Sequence, residues 1–161
     1  HIGNTRNYNE DRVSIILNIL RPDCFIGQNW PNCSFFAIYD GHSGSGCANF
    51  LRDNLHLYII NNEFFPENPC EAIRRGFEEA ENIFLSNYAV EKSFGLVDRS
   101  GSCAIVLMTI DDVVYVANVG DSRAIISREG GAKRSRITVD HKPDELNEKK
   151  RIEDNGGSVY Q

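Results

Sequence analysis

The feature that most constrains this chain is a change of apolar period partway along it. Between Gly46 and Asn61, Cys47, Leu51, Leu55 and Ile59 recur at four-residue steps, with Arg52, Asp53 and His56 off the stripe. Ile73, Phe77, Ala80, Phe84 and Tyr88 repeat the pattern, with Arg74, Arg75, Glu78, Glu79 and Glu81 outside it. That spacing is one face of an α-helix. The linker holding Pro66 and Pro69 is short, so the two helices are expected as an antiparallel pair lying on a sheet. Before and after them the period is two, the signature of strands.

Arg12 to Leu20 alternates, with Val13, Ile15, Leu17 and Ile19 on one face, and predicts a half-buried strand. Ser34 to Tyr39 is a short apolar and aromatic run, a more deeply buried strand that stops at Asp40-Gly41. Cys103 to Ile110 and Val113 to Val119 flank Asp111-Asp112, a two-residue hairpin connection. Arg123 to Ser127 and Arg136 to Val139 continue the meander around Gly130-Gly131. Pro143 opens a polar helix through Asn155, with Glu145 and Lys149 paired at i,i+4. Ser158-Val159-Tyr160 begins a further strand. The order of elements is α+β with a mostly antiparallel sheet.

At 161 residues the chain reads as one domain that buries a sizeable core without disulfide staples. A net charge of −6 argues against a nucleic-acid partner, since phosphate backbones demand clustered Lys and Arg. Apolar stretches are strand-sized, so no membrane span is expected. The five cysteines are odd in number and widely spaced, which predicts free thiols in a reducing compartment, cytoplasmic or nuclear. None of them forms a zinc-spaced pair.

The acids carry the chemical clue. Asp40 closes the run Phe35-Phe36-Ala37-Ile38-Tyr39, Asp121 closes Val116-Ala117-Asn118-Val119-Gly120, and each has a glycine beside it. A carboxylate at the mouth of a buried strand is costly to desolvate unless a cation or donor satisfies it. Hard ions such as Mg²⁺ take oxygen ligands, and two strand-end aspartates on neighbouring strands would supply part of such a site. Turn-starting aspartates give the same local pattern; Glu10-Asp11 ahead of the first strand adds weight to the metal reading.

Arg6-x-x-x-Glu10-Asp11, Phe36 to Gly44, Ser100-Gly101-Ser102-Cys103-Ala104, Ala117 to Arg123, Asp140-His141-Lys142-Pro143, and Arg151-Ile152 with Gly156-Gly157 run in one order along the chain. In that order and spacing the sequence resembles the protein phosphatase 2C family, the metal-dependent Ser/Thr phosphatases. The resemblance implies a sandwich of two mostly antiparallel sheets flanked by antiparallel helix pairs, incomplete here, with residues 1–161 as the front portion of a single catalytic domain. It implies two Mn²⁺ or Mg²⁺ ions, with a third and weaker position. Asp40 matches the bridging ligand, Gly41 offers its carbonyl, Glu10 ligates the second ion, and Asp11 supports them from behind. Asp121 matches the residue linked with the weaker metal, Arg6 the arginine that grips phosphate, and His42 the general acid. Phosphoserine and phosphothreonine in protein substrates would be hydrolysed by a hydroxide bridging the two ions, and the complete protein would be a monomer.

Each residue type suits that task. Paired cations about 3.5–4 Å apart ionise water and stabilise entering and leaving oxygens. An arginine fork fits phosphate oxygens better than a lysine point charge. A leaving alkoxide needs a proton, and His42 is two residues from the bridging acid. Cys103 stands where many members carry threonine and is expected to be buried as a small apolar residue. The family's later Asp-Gly and Asp-Asn motifs do not follow Tyr160, so the 161 residues alone are expected to be inactive or nearly so. The alternative reading is an inactive phosphatase-like scaffold or regulatory interaction module. A phosphate loop at Gly41 to Gly46 lacks the Lys-Ser/Thr ending, and no serine-hydrolase elbow is present.

Overall fold

The computed structural model describes residues 7–25, 29–87 and 98–160. Strand β1 (Arg12–Ile16) and β2 (Cys33–His42) precede helices α1 (Gly46–Ile60) and α2 (Pro69–Asn87). Then come β3 (Gly101–Ile110), β4 (Val113–Val119), β5 (Ile125–Arg128), β6 (Lys133–Arg136) and helix α3 (Leu146–Asp154). The first four strands form one antiparallel sheet in the order β1-β2-β3-β4, and β5 and β6 form a second, two-stranded antiparallel sheet. The molecule is α+β, as the change of period implies.

The helix pair covers one face of the large sheet, α1 against β1, β2 and β3, and α2 against β4. Alternate residues of the two central strands turn toward it: Phe35, Ala37 and Tyr39 from β2, and Ala104, Val106 and Met108 from β3. They meet Leu51, Leu55 and Ile59 of α1, while α2 contributes Ile73, Ala80 and Phe84. The helices approach closely because Gly76 has no side chain; a Cβ there would lie 2.6 Å from Ile59 Cγ1. The expected stripes therefore face the core, although Tyr88 lies outside the described residues.

Several boundaries differ from the sequence reading, each for a physical reason. β1 ends at Ile16, and its apolar face is the open one: Val13, Ile15 and Leu17 are 52%, 65% and 73% exposed. Ser14 is buried instead, its hydroxyl donating to the Arg52 carbonyl at 3.2 Å, because helices cover only that side. Beyond β1, Ile19 still reaches the core, tied by its N–H to the Cys33 carbonyl. β2 is not fully buried: Phe35, Ala37, Tyr39 and Gly41 are buried, alternating with more accessible residues.

The polar end of the chain deviates further. β5 begins two residues later than expected, and β6 spans Lys133–Arg136 instead of Arg136 to Val139. Gly130 and Gly131 both adopt positive φ, so the chain reverses within the turn itself and pairing starts immediately after it. α3 starts at Leu146, since Glu145 is extended with ψ 132° and serves as its N-cap. Consequently Lys149 pairs with Glu153 and not with Glu145. Ser158 to Tyr160 forms no strand.

Candidate active site

The site is assembled at the end of β2. The aspartate does not end that strand, because pairing with β3 continues through Asp40↔Cys103, Gly41↔Ser102 and His42↔Gly101. Asp40 and His42 are exposed while Gly41 between them is buried, as strand alternation requires. On the other side, Arg12 pairs with Tyr39, so the incoming chain brings Asp11 beside Asp40 and Glu10 beside Gly41. The contact is tight. A Cβ on Gly41 would sit 2.5 Å from the Glu10 carbonyl oxygen and 3.1 Å from Ala48 Cβ.

That entrance is fixed by polar contacts. Arg12 donates through Nε to Asn49 Oδ1 of α1 at 2.6 Å and through Nη1 to the Asn9 and Asp11 carbonyls. The Asp11 N–H bonds Asn9 Oδ1. Glu10 Oε1 accepts the Gly44 N–H at 2.5 Å, and this amide is presented by a turn with positive φ at Ser43 and Gly44. Sequence reasoning read Arg12 only as a polar strand residue; its anchoring role leaves no signature in spacing.

Asp121 arrives from the far side. β2 and β4 are not neighbours, contrary to the expectation for the two aspartates, because β3 runs between them. Cys103 of β3 spans the gap: it pairs with Asp40 in register, and its thiol donates to Asp121 Oδ1 at 3.4 Å. It is thus a partly exposed, hydrogen-bonded residue and not the buried apolar one expected. Gly120 adopts φ +98° against it, and a Cβ there would stand 2.4 Å from the sulfur. Lys142 Nζ lies 3.8 Å from Asp121 Oδ2.

The electrostatics follow from this crowding. Partial desolvation, the charge and hydrogen bond of Asp11, and the charge of Asp121 hold the Asp40 carboxyl above the usual carboxylate range, with His42 partly opposing them. Burial above all, together with the charges of Asp121 and Asp40, pushes the Cys103 thiol up, keeping it a protonated donor. Three acids from three chain segments therefore act on one another, and the oxygens around Asp40 and Gly41 are of the hard type that Mg²⁺ and Mn²⁺ select. The donor chemistry fits such an ion. Among the described residues no three His, Cys, Asp or Glu side chains gather as a ready metal-binding group, and the Glu10 carboxylate is turned toward Gly44. Arg6 lies outside the described residues.

Comparison with known proteins bears on this arrangement. The family model for protein phosphatase 2C matches residues 4–161. Probable protein phosphatase 2C 54 of Oryza sativa subsp. japonica is 34% identical over 154 residues, covering 96% of this chain and 40% of that protein. Protein phosphatase 1B of Bos taurus is 40% identical over 145 residues, covering 82% of this chain and 28% of that protein. The crystal structure of serine-threonine phosphatase 2C from Toxoplasma gondii shares the fold, with a TM-score of 0.67 at 24% identity, over 96% of this chain and 52% of that one. Fold, motif order and sequence agree, and the chain belongs to the protein phosphatase 2C family. It spans about a third of the length of the curated relatives it matches.

Proposed function

We propose that this chain is the front portion of a single catalytic domain whose complete form is a protein Ser/Thr phosphatase dependent on Mn²⁺ or Mg²⁺. The observation that carries the reading is the placing of Asp40 near the end of β2, with Asp11 beside it and Asp121 linked to it across Cys103. Asp40, the Gly41 carbonyl and Glu10 would hold two ions, and Asp121 a third and weaker one. When bound, the ions supply Lewis acidity, ionising water at neutral pH and neutralising charge on the phosphoryl oxygens. The protein's own contribution is positioning and charge placement. Arg6 would grip the phosphate as a fork, Asp11 would support Asp40 from behind, and His42 would donate the proton that the departing serine or threonine oxygen requires.

Cys33, Cys47, Cys70 and Cys103 are free, which supports a reducing compartment, cytoplasm or nucleus. The substrates of this reading are phosphorylated proteins. In the full-length protein, calorimetric titration with Mn²⁺ should show binding that Asp40→Ala abolishes, and phosphopeptide hydrolysis should fall with it. Unchanged affinity in Asp40→Ala would refute the role given to Asp40. The 161 residues alone are proposed to be inactive or nearly so, and brisk manganese-dependent turnover by them would overturn that part.

A further inference from the structure

We propose that Asp140 is a positioning residue for Asp121, acting through a clamp that closes around the turn after β4. This rests on the metal-dependent reading above, and goes beyond it by assigning a task to a residue remote from the ions. Asp140 has a side chain only 11% exposed, gripped by two arginines. Arg123 donates to it through Nη2 at 2.6 Å and Nε at 3.3 Å, and Arg136 through Nη2 at 2.5 Å. Arg123 lies two residues beyond Asp121, whereas Arg136 ends β6. The carboxylate therefore ties the exit of the Asp121 turn to the second sheet.

The segment that carries Asp140 then lies along the turn. The His141 N–H donates to the Gly120 carbonyl at 2.9 Å, and the Gly120 N–H points back to His141 Nδ1 at 3.4 Å. Asn118 Nδ2 donates to the carbonyls of both Gly120 and Val139, at 3.0 Å each. Lys142, next along, reaches Asp121 itself. Gly120 holds φ +98°, a conformation with no side-chain packing of its own to enforce it. What keeps Asp121 aimed past Cys103 toward Asp40 is thus the stretch from Val139 to Lys142, and Asp140 anchors that stretch at its middle. Partners standing behind a ligand commonly decide its affinity by one to two orders of magnitude.

The test uses the full-length protein titrated with Mg²⁺ alone, followed through the backbone amide shifts of Gly41 and Asp121. Asp140→Asn should weaken the response at Asp121 about tenfold or more, leave that at Gly41 within about twofold, and accelerate hydrogen exchange of the His141 amide. Arg136→Gln keeps the Arg123 pair and should give a smaller loss at Asp121, which preserves the test if Asp140→Asn folds poorly. Equal losses at both amides, an unchanged response at Asp121, or a His141 amide as protected as in the parent would each overturn the clamp. A parent protein that shows no Mg²⁺ response at either amide would instead overturn the metal reading beneath it.

Discussion

Gly101 offers a way to move the proposed general acid without touching the proposed metal ligands. It pairs with His42 across β2 and β3, and a Cβ built on it would stand 2.4 Å from His42 Nε2 and 2.8 Å from Cε1. Ordinary van der Waals contact begins near 3.4 Å, so Gly101→Ala requires the imidazole to retreat by about 1 Å. The group that yields is the end of an exposed side chain, and no positive φ is recorded at Gly101, so the strand accepts alanine. Stability should stay within about 1 kcal/mol, the range of strand propensities. A displacement of that size at a reacting group costs up to about 10²-fold in rate. Phosphopeptide hydrolysis by the full-length protein should therefore show kcat reduced about 10- to 100-fold, with unchanged Tm and Mn²⁺ affinity. In a double-mutant cycle, Gly101→Ala should add almost nothing to His42→Ala, because both remove the same proton donor. A kcat within twofold of the parent, or full additivity in the cycle, would show that His42 does not serve as that donor.

Gly41→Ala meets backbone in place of a movable side chain: the Glu10 carbonyl would be 2.5 Å from the new methyl, so the chain entering β1 must shift. A loss of about 1–3 kcal/mol is expected from such overpacking, read by chemical denaturation, with Mn²⁺ binding weakened in parallel. Glu71 accepts hydrogen bonds from Arg74 and Arg75 on α2, which hold its carboxyl down at about 2. Its contribution is then complete above the unfolded value of 4.5 and disappears as pH falls toward about 2. Glu71→Gln should accordingly lower Tm by a few degrees at most at neutral pH and leave it unchanged near the acid end, as thermal scans across pH would show.

The helix pair was legible because a period of 3.6 is imposed by a single buried stripe, and Leu51, Leu55, Ile59, Ile73 and Phe84 obey it. The register of β3 and β4 was legible for a related reason: Asp111-Asp112 leaves the chain no room for another connection, and Asp111 adopts the positive φ that such a turn needs. β1 was misread on its face. Alternation reports only that one side differs from the other, and the side the helices cover here also carries Ile16, which packs against the core. Here Val13 and Ile15 are apolar yet open, while Ser14 is buried because its hydroxyl finds the Arg52 carbonyl. The ends of β5, β6 and α3 were set by glycine turns and by the extended Glu145, local conformations on which hydrophobic patterning is silent.

The site divides along the same line. Asp40 stood out as the acid closing an aromatic run, and Gly41 and Glu10 were named through the family resemblance; strand pairing then carries Glu10-Asp11 beside Asp40-Gly41. Asp121 could be named but not placed, since sequence order does not reveal that β3 separates it from β2. That separation changes the meaning of Cys103. A residue on an intervening strand, facing one acid in register and hydrogen-bonded to the other, is the shortest physical link between them. Its thiol is a weak donor, so the heavier work of holding Asp121 falls to the backbone around Gly120 and the segment that Asp140 pins beside it. Contacts of that kind join residues about 20 positions apart through main-chain atoms, which is why the side-chain identities at 118–123 and 139–142 announce two motifs but not the bond between them.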